Sequence, residues 1–234
     1  MLKSAIKMTP QQKIRVDLAS DMEIERLFQK HVVDGTSFFF REFLGEVDQE
    51  YELRHEIAAA LNLSINDVVI VGSAKLGYSV KNTQFVKFDG KYEKERLNKN
   101  KSDIDIAIAN KRLFDEQAAL IFEISRHFDP DWIEEKWLTN AYYQNGLKGR
   151  DALSSSLYIN YTKYLARGWF RPDYTPNFYI EQIPWKEVTN KWREKLQRKI
   201  SIGLYSDWYY LKHYQMDTLT NLRAKEKALE IPHD

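Results

Sequence analysis

Two stretches, Val69-Ile70-Val71-Gly72-Ser73 and Ser102-Asp103-Ile104-Asp105-Ile106-Ala107-Ile108, decide how this chain is read. Successive side chains of a strand point to opposite faces, so Asp103 and Asp105 share one side and Ile104, Ile106 and Ile108 the other. The second stretch thus offers two carboxylates to a cleft and three branched side chains to a core. Acids so paired suit a hard cation, Mg²⁺, held opposite a phosphate-bearing substrate. Gly72 permits close backbone approach at the exit of the first stretch, and Ser73 adds a small hydrogen-bonding group.

Outward from these stretches the pattern predicts an α+β chain. Helices are expected over Asp17–Lys30 and Glu50–Leu63, where Leu53, Ile57 and Leu61 recur on one face. Strands follow at Val68–Val71 and Ile104–Ala109, with a glycine-containing turn from Gly72 to Gly77 after the first. Residues 85–101 carry six Lys/Arg and three Asp/Glu, with a tight turn marked at Asp89-Gly90. This polar segment reads as a hairpin or mobile lid rather than core. Asn110 is placed to cap a helix from Lys111 to His127, with Phe114, Ala118, Ile121, Ile124 and Phe128 as its stripe. Pro130 restarts the chain, helices are expected near 132–144 and 152–167, and Phe178–Ile183 reads as a short strand. Val188, Trp192, Leu196 and Ile200 predict a helix over 185–200, and a final helix is expected from Tyr205 to Glu230. These elements divide as a helical N-terminal extension at 1–63, a core at 64–147 with a polar insertion at 85–101, and a mainly helical aromatic module at 148–234.

Composition narrows the chemistry. Zero cysteines exclude disulfides, thiolate catalysis, iron–sulfur ligation and cysteine-based zinc sites. The five histidines are scattered without metal-ligand spacing, and His213 beside Trp208, Tyr209, Tyr210 and Tyr214 reads as packing, as does the Trp192/Trp208 region. No segment has the apolar length of a membrane span, and Met1–Met8 lacks the apolar run of a secretory signal, so a cytoplasmic protein is expected. The net charge of +1 makes no overall case for nucleic acid. Its distribution is uneven: residues 1–60 hold 8 basic and 11 acidic side chains, residues 148–200 hold 11 and 5. The later region would receive phosphates or an acidic partner.

A strand ending in Gly72-Ser73 and a later strand carrying Asp103-x-Asp105 resemble the nucleotidyltransferase superfamily that includes DNA polymerase beta and small bacterial nucleotidyltransferases. The resemblance is local, over residues 68–109. It implies a nucleotidyltransferase-like fold with a short mixed sheet followed by a mainly helical C-terminal module. It implies too that Gly72, Ser73 and adjacent backbone N–H groups contact a triphosphate while Asp103 and Asp105 ligate Mg²⁺. No Walker A loop accompanies these residues. Two departures stand out: Gly72 and Asp103 are 31 residues apart, which makes 85–101 an insertion, and no third carboxylate is evident. Glu181 has the expected strand setting for that acid, with Asp173 and Asp151 as weaker candidates in turns. Lys75 is positioned to reach a phosphate, and Arg167 or Arg171 to approach from the later module. Tyr158, Tyr161 and Tyr164 suit either base stacking or a helical core.

The implied activity is Mg²⁺-dependent transfer of a nucleoside monophosphate from ATP or another NTP, with AMP as the family-based preference. The acceptor would be a hydroxyl of a protein, a small molecule or RNA. Two alternatives stand beside it: a catalytically degenerate regulator of the same fold that binds nucleotide, and an RNA-binding protein using the basic 148–200 region.

Overall fold

In the computed structural model, which describes residues 8–79, 86–94, 101–138, 157–180 and 182–229, the chain opens on helix α1, Pro10–Ala19. Thr9 caps it reciprocally with Gln12: each side chain accepts the other's backbone N–H, at 3.2 and 2.8 Å. The helix expected over Asp17–Lys30 is instead broken at Ser20. Its hydroxyl donates to the Asp17 carbonyl and accepts from the Met22 N–H, competing with the helical ladder. Helix α2, Ile24–Phe28, then runs into a π-helical turn at Gln29–Val33. Helix α3, Asp48–Ala60, buries Leu53 and Ile57 and leads to strand β1, Val68–Val71.

The turn expected from Gly72 to Gly77 is a short helix, α4, Gly72–Leu76, stopped by Gly77 at φ +83°. Strands β2, Tyr78–Ser79, and β3, Val86–Lys87, pair as an antiparallel hairpin, and helix α5, Gly90–Lys94, follows the turn at Asp89. Strand β4, Ile104–Ala109, passes directly into helix α6, Lys111–Ile124. Asn110 caps α6 as expected, accepting the Leu113 N–H at 3.0 Å. Helix α7, Pro130–Trp132, begins at the proline and continues as a π-helical turn, Ile133–Leu138; residues 139–144 and 152–156 of the expected helices lie outside the described residues.

The later region departs most from expectation. After helix α8, Leu157–Leu165, and strand β5, Trp169–Phe170, the strand expected at Phe178–Ile183 is replaced by helix α9, Asn177–Ile180. The Tyr179 N–H bonds to the Pro176 carbonyl, closing a helical turn where a strand would need a partner. Helix α10, Lys186–Leu196, stops before Ile200 because Gln197 adopts a left-handed φ of +51°. Residues 200–205, expected as a helix end and the next helix start, form strand β6, Ile200–Tyr205, before helix α11, Trp208–Leu229.

The four-stranded mixed sheet has the order β1-β4-β6-β5. Strand β1 runs antiparallel to β4 with Val71 opposite Asp105, and β6 runs parallel to β4 with Ser201 opposite Asp105. The boundary expected at 147/148 falls between strands of this one sheet, β1 and β4 preceding it and β5 and β6 following it.

One sheet face carries Val68, Ile70, Ile104, Ile106, Ile108, Ile200, Ile202 and Leu204, buried with Leu53, Ile57, Ile121 and Trp192 of α3, α6 and α10. The other carries Val69, Val71, Ala107, Ala109 and Tyr205, covered by Ile14, Leu18 and Leu27 of the N-terminal helices and Leu211, Leu219 and Leu222 of α11. The split expected from the alternation of Asp103-Ile104-Asp105-Ile106 is observed: the isoleucines fill the first core and the aspartates stand at the end of the second face. No helix among the described residues is long and apolar enough to cross a membrane.

Candidate functional site

The two deciding stretches meet in space. The register brings Val71, last residue of β1, beside Asp105, and Gly72 turns away at φ +65°. A Cβ added to Gly72 would lie 2.8 Å from Asp105 Oδ2, so only glycine leaves this carboxylate its place. Ser73 follows in the first turn of α4, half-buried, its carbonyl accepting the Gly77 N–H at 2.9 Å.

Asp103 sits just before β4, with its side chain 35% exposed. Ser201 Oγ donates to Asp103 Oδ2 at 3.4 Å, and Lys199 Nζ stands 3.5 Å from the same oxygen. Ser201 shares the Asp105 face because paired residues of neighbouring strands point the same way. Lys199 and Ser201 were not among the expected site residues. Their signal was the alternation Ile200-Ser201-Ile202-Gly203-Leu204, hidden because Ile200 also extends the helical spacing of Val188, Trp192 and Leu196.

Beyond Asp105 the same face has small residues in the middle with aromatic rings packed on them. Ala107 and Gly203 lie side by side in the register, and the Trp169 indole rests so close that a Cβ on Gly203 would meet its Nε1 at 2.8 Å. Trp169 stacks on Tyr205 at 5.2 Å and contacts Tyr214 at 4.5 Å. Burial raises the pKa of both tyrosines, and the Asp105 charge adds to the shift while Arg171 opposes it. Asp105, Tyr205, Tyr214 and Arg171 therefore belong to one electrostatic neighbourhood.

Other expected residues are used differently. Lys75 is not turned to the cleft: its ammonium donates to the carbonyls of Val33 at 3.3 Å and Gly35 at 2.5 Å, tying α4 to the end of the π-helical turn. Burial lowers its pKa to about 8. Arg171 forms a two-pronged pair with Asp173, at 3.0 and 2.6 Å, beneath the rings of Tyr164, Trp169 and Tyr174. Asp173 is thus engaged with Arg171, while Glu181 and Asp151 lie outside the described residues. Arg167 is exposed, Tyr161 is core, and Tyr164 stacks on Tyr174 at 5.4 Å. The polar 85–101 segment sends Phe88 and Asp89 into the interior, where Asp89 pairs with Arg198.

Among the described residues no group of three or more His, Cys, Asp or Glu side chains is placed to hold a metal ion. The neighbouring strand offers Ser201 and Gly203 where a third acid would stand. Two carboxylates still fit Mg²⁺, which is commonly held by one or two protein carboxylates with waters and substrate phosphates filling its octahedron. Asp105 Oδ2 packs against Gly72, and Lys199 shows that Asp103 accepts a positive group.

The chain matches no protein-family model, no curated protein and no solved structure.

Proposed function

We propose that this chain is a nucleotidyltransferase-fold protein that transfers a nucleoside monophosphate, AMP by preference, from an NTP to a hydroxyl of a protein or small molecule. The carrying observation is the meeting of Gly72, the residue before Ser73, with Asp105 across β1 and β4, the arrangement that the sequence resemblance implies. The mixed sheet, with a third strand parallel to the aspartate strand, supports the same reading. A shallow open depression lined by Arg193, Glu194, Gln197, Arg198 and Lys199 lies next to Asp103 through Lys199; with the Arg198 guanidinium engaged by Asp89, Arg193 and Lys199 are the cations that would meet a polyphosphate.

In the reaction the acceptor oxygen bonds to the α-phosphorus, the bond to the β-phosphate oxygen breaks, pyrophosphate leaves and the hydroxyl proton passes to solvent. Asp103 and Asp105 would hold Mg²⁺, which neutralises phosphate oxygens and aligns the leaving pyrophosphate. Ser73 and the backbone beside Gly72 would orient the terminal phosphates, and Lys199 would exchange Asp103 for a phosphate oxygen. The Trp169 and Tyr214 rings would offer a base an apolar wall.

The test is incubation with each labelled NTP and Mg²⁺ across protein, small-molecule and RNA acceptors, for the parent and Asp103→Ala/Asp105→Ala. Label transfer by the parent, lost by at least about 10³-fold in the double variant, is the expected result, several kcal/mol of transition-state stabilisation being at stake. Equal turnover by the double variant would refute the site.

The absence of an acid at Ser201 and Gly203 favours one second reading, a regulator that binds nucleotide without turnover. Binding of an NTP by a parent that leaves no labelled product would establish it. In the basic 148–200 region, Arg171, Lys191 and Arg198 are paired with Asp173, Glu56 and Asp89.

A further inference from the structure

Arg198 and Asp89 form an ion pair from which water is excluded, their side chains 4% and 6% exposed. The guanidinium is forked onto the carboxylate, Nη1 to Oδ1 at 2.9 Å and Nη2 to Oδ2 at 2.5 Å. Phe39, Phe43 and Phe88 enclose it, with ring centroids 5.3, 4.8 and 4.8 Å from the guanidinium carbon. These neighbours leave Arg198 no approach for a substrate phosphate.

The pair also grips the start of the aspartate strand. Arg198 Nη1 donates to the Ser102 carbonyl at 3.2 Å, the Ser102 N–H donates to Asp89 Oδ1 at 2.8 Å, and Ser102 Oγ accepts the Asp89 N–H at 3.0 Å. Ser102 is thus held through its N–H, its carbonyl and its hydroxyl, and the next residue is Asp103. On the other side of Asp103, the Ile104 N–H bonds to the carbonyl of Lys199, the residue after Arg198. Asp103 is fixed on both flanks by groups anchored at a single buried pair.

We infer that the Asp89–Arg198 pair is a positioning clamp through which the 86–94 segment, part of the polar insertion, sets where Asp103 presents its carboxylate. This rests on the reading of Asp103 as a metal-holding residue. A buried ion pair is an inefficient stabiliser, since apolar residues of similar volume commonly do as well or better. What the fork adds is direction, two parallel hydrogen bonds of fixed geometry beside a backbone that must not shift. Residues that orient a metal-holding group typically change its affinity 10- to 100-fold when removed.

The experiment measures Mn²⁺ binding in the presence of a non-hydrolysable ATP analogue, alongside thermal melting. It compares the full-length parent, Asp103→Ala, Asp89→Asn/Arg198→Met, Arg198→Lys and Ile121→Val, the last a core change on α6. The double variant removes both charges together, and asparagine tolerates the left-handed backbone of residue 89 at φ +61°. The clamp predicts binding weakened by about 10-fold or more in a double variant that still melts cooperatively, with Ile121→Val unchanged even at an equal drop in melting temperature. Should the double variant not fold, Arg198→Lys, which keeps the charge and loses the fork, carries the same expectation. Parental binding retained within about twofold in a folded clamp variant overturns the clamp alone. A parent that binds Mn²⁺ no better than Asp103→Ala overturns the reading of Asp103 and the clamp with it.

Discussion

Asp89 and Asp103 lie 14 positions apart and are joined through Ser102, yet they hold opposite places in the protein. Asp89 is sealed from water with its charge met by a forked guanidinium, whereas Asp103 is one-third exposed, with a lysine at 3.5 Å and a hydroxyl at 3.4 Å. A carboxylate whose acceptor sites are filled inside the protein is spent on structure. One loosely met at the end of a strand still shares its oxygens with water.

That contrast breaks if removing the two acids has similar consequences. Asp89→Ala leaves the Arg198 cation buried without a partner, and a loss of about 3–5 kcal/mol in urea unfolding is expected. The pair also predicts acid sensitivity. Burial by itself would raise the Asp89 pKa, but the Arg198 and Ser102 hydrogen bonds and the Arg198 charge outweigh it and hold it below 3.8. The stabilisation is complete above the unfolded value and is lost as pH falls below it toward the folded one. Asp89→Asn should flatten this acid limb of the stability curve.

Lys75 sharpens the same comparison from the cationic side. The unfolded chain holds this proton up to about pH 10.5 and the folded chain only to about 8, so stability rises with pH between those values. The total rise is on the order of 3 kcal/mol, and Lys75→Met should abolish it in unfolding curves taken from pH 7.5 to 10. A slope unchanged by the substitution would place the ammonium in water, back among candidates for the phosphate.

Gly72→Ala should cost about 1–3 kcal/mol, because alanine must take a left-handed backbone and its methyl would displace Asp105 Oδ2. Nucleotide-dependent metal binding should fall with it, measurable by titration calorimetry. The smallest stability effect is expected for Asp103→Ala, within about 0.5 kcal/mol, as befits a partly exposed side chain away from the core. A melting temperature that drops as far as that of Asp89→Ala would erase the distinction between the two acids.

The parts of the fold legible in the sequence were those governed by neighbours along the chain. Alternation marked β4 and its two faces, Asn110 announced its cap, and Pro130 marked a restart. Ser20 shows where local reading slips, since one hydroxyl redirected a run of helical composition into two helices. Ile200 shows the larger failure: its spacing fits a helix, but pairing beside β4 buries Ile200, Ile202 and Leu204 together, and that reward outweighs the local pattern. The proposed site followed the same division. Gly72, Asp103 and Asp105 were readable as residue types at a spacing, while Lys199 and Ser201 became visible only once β6 took its place.

By itself, then, the sequence determined an α+β chain and the strand that carries two acids on one side. Tertiary structure alone decided which charges are exposed, because the energy of a charge depends on what surrounds it and not on its neighbours in the chain. Asp89 is buried because Arg198, 109 positions away, reaches it, and Lys75 turns from the cleft because the carbonyls of Val33 and Gly35 stand above α4.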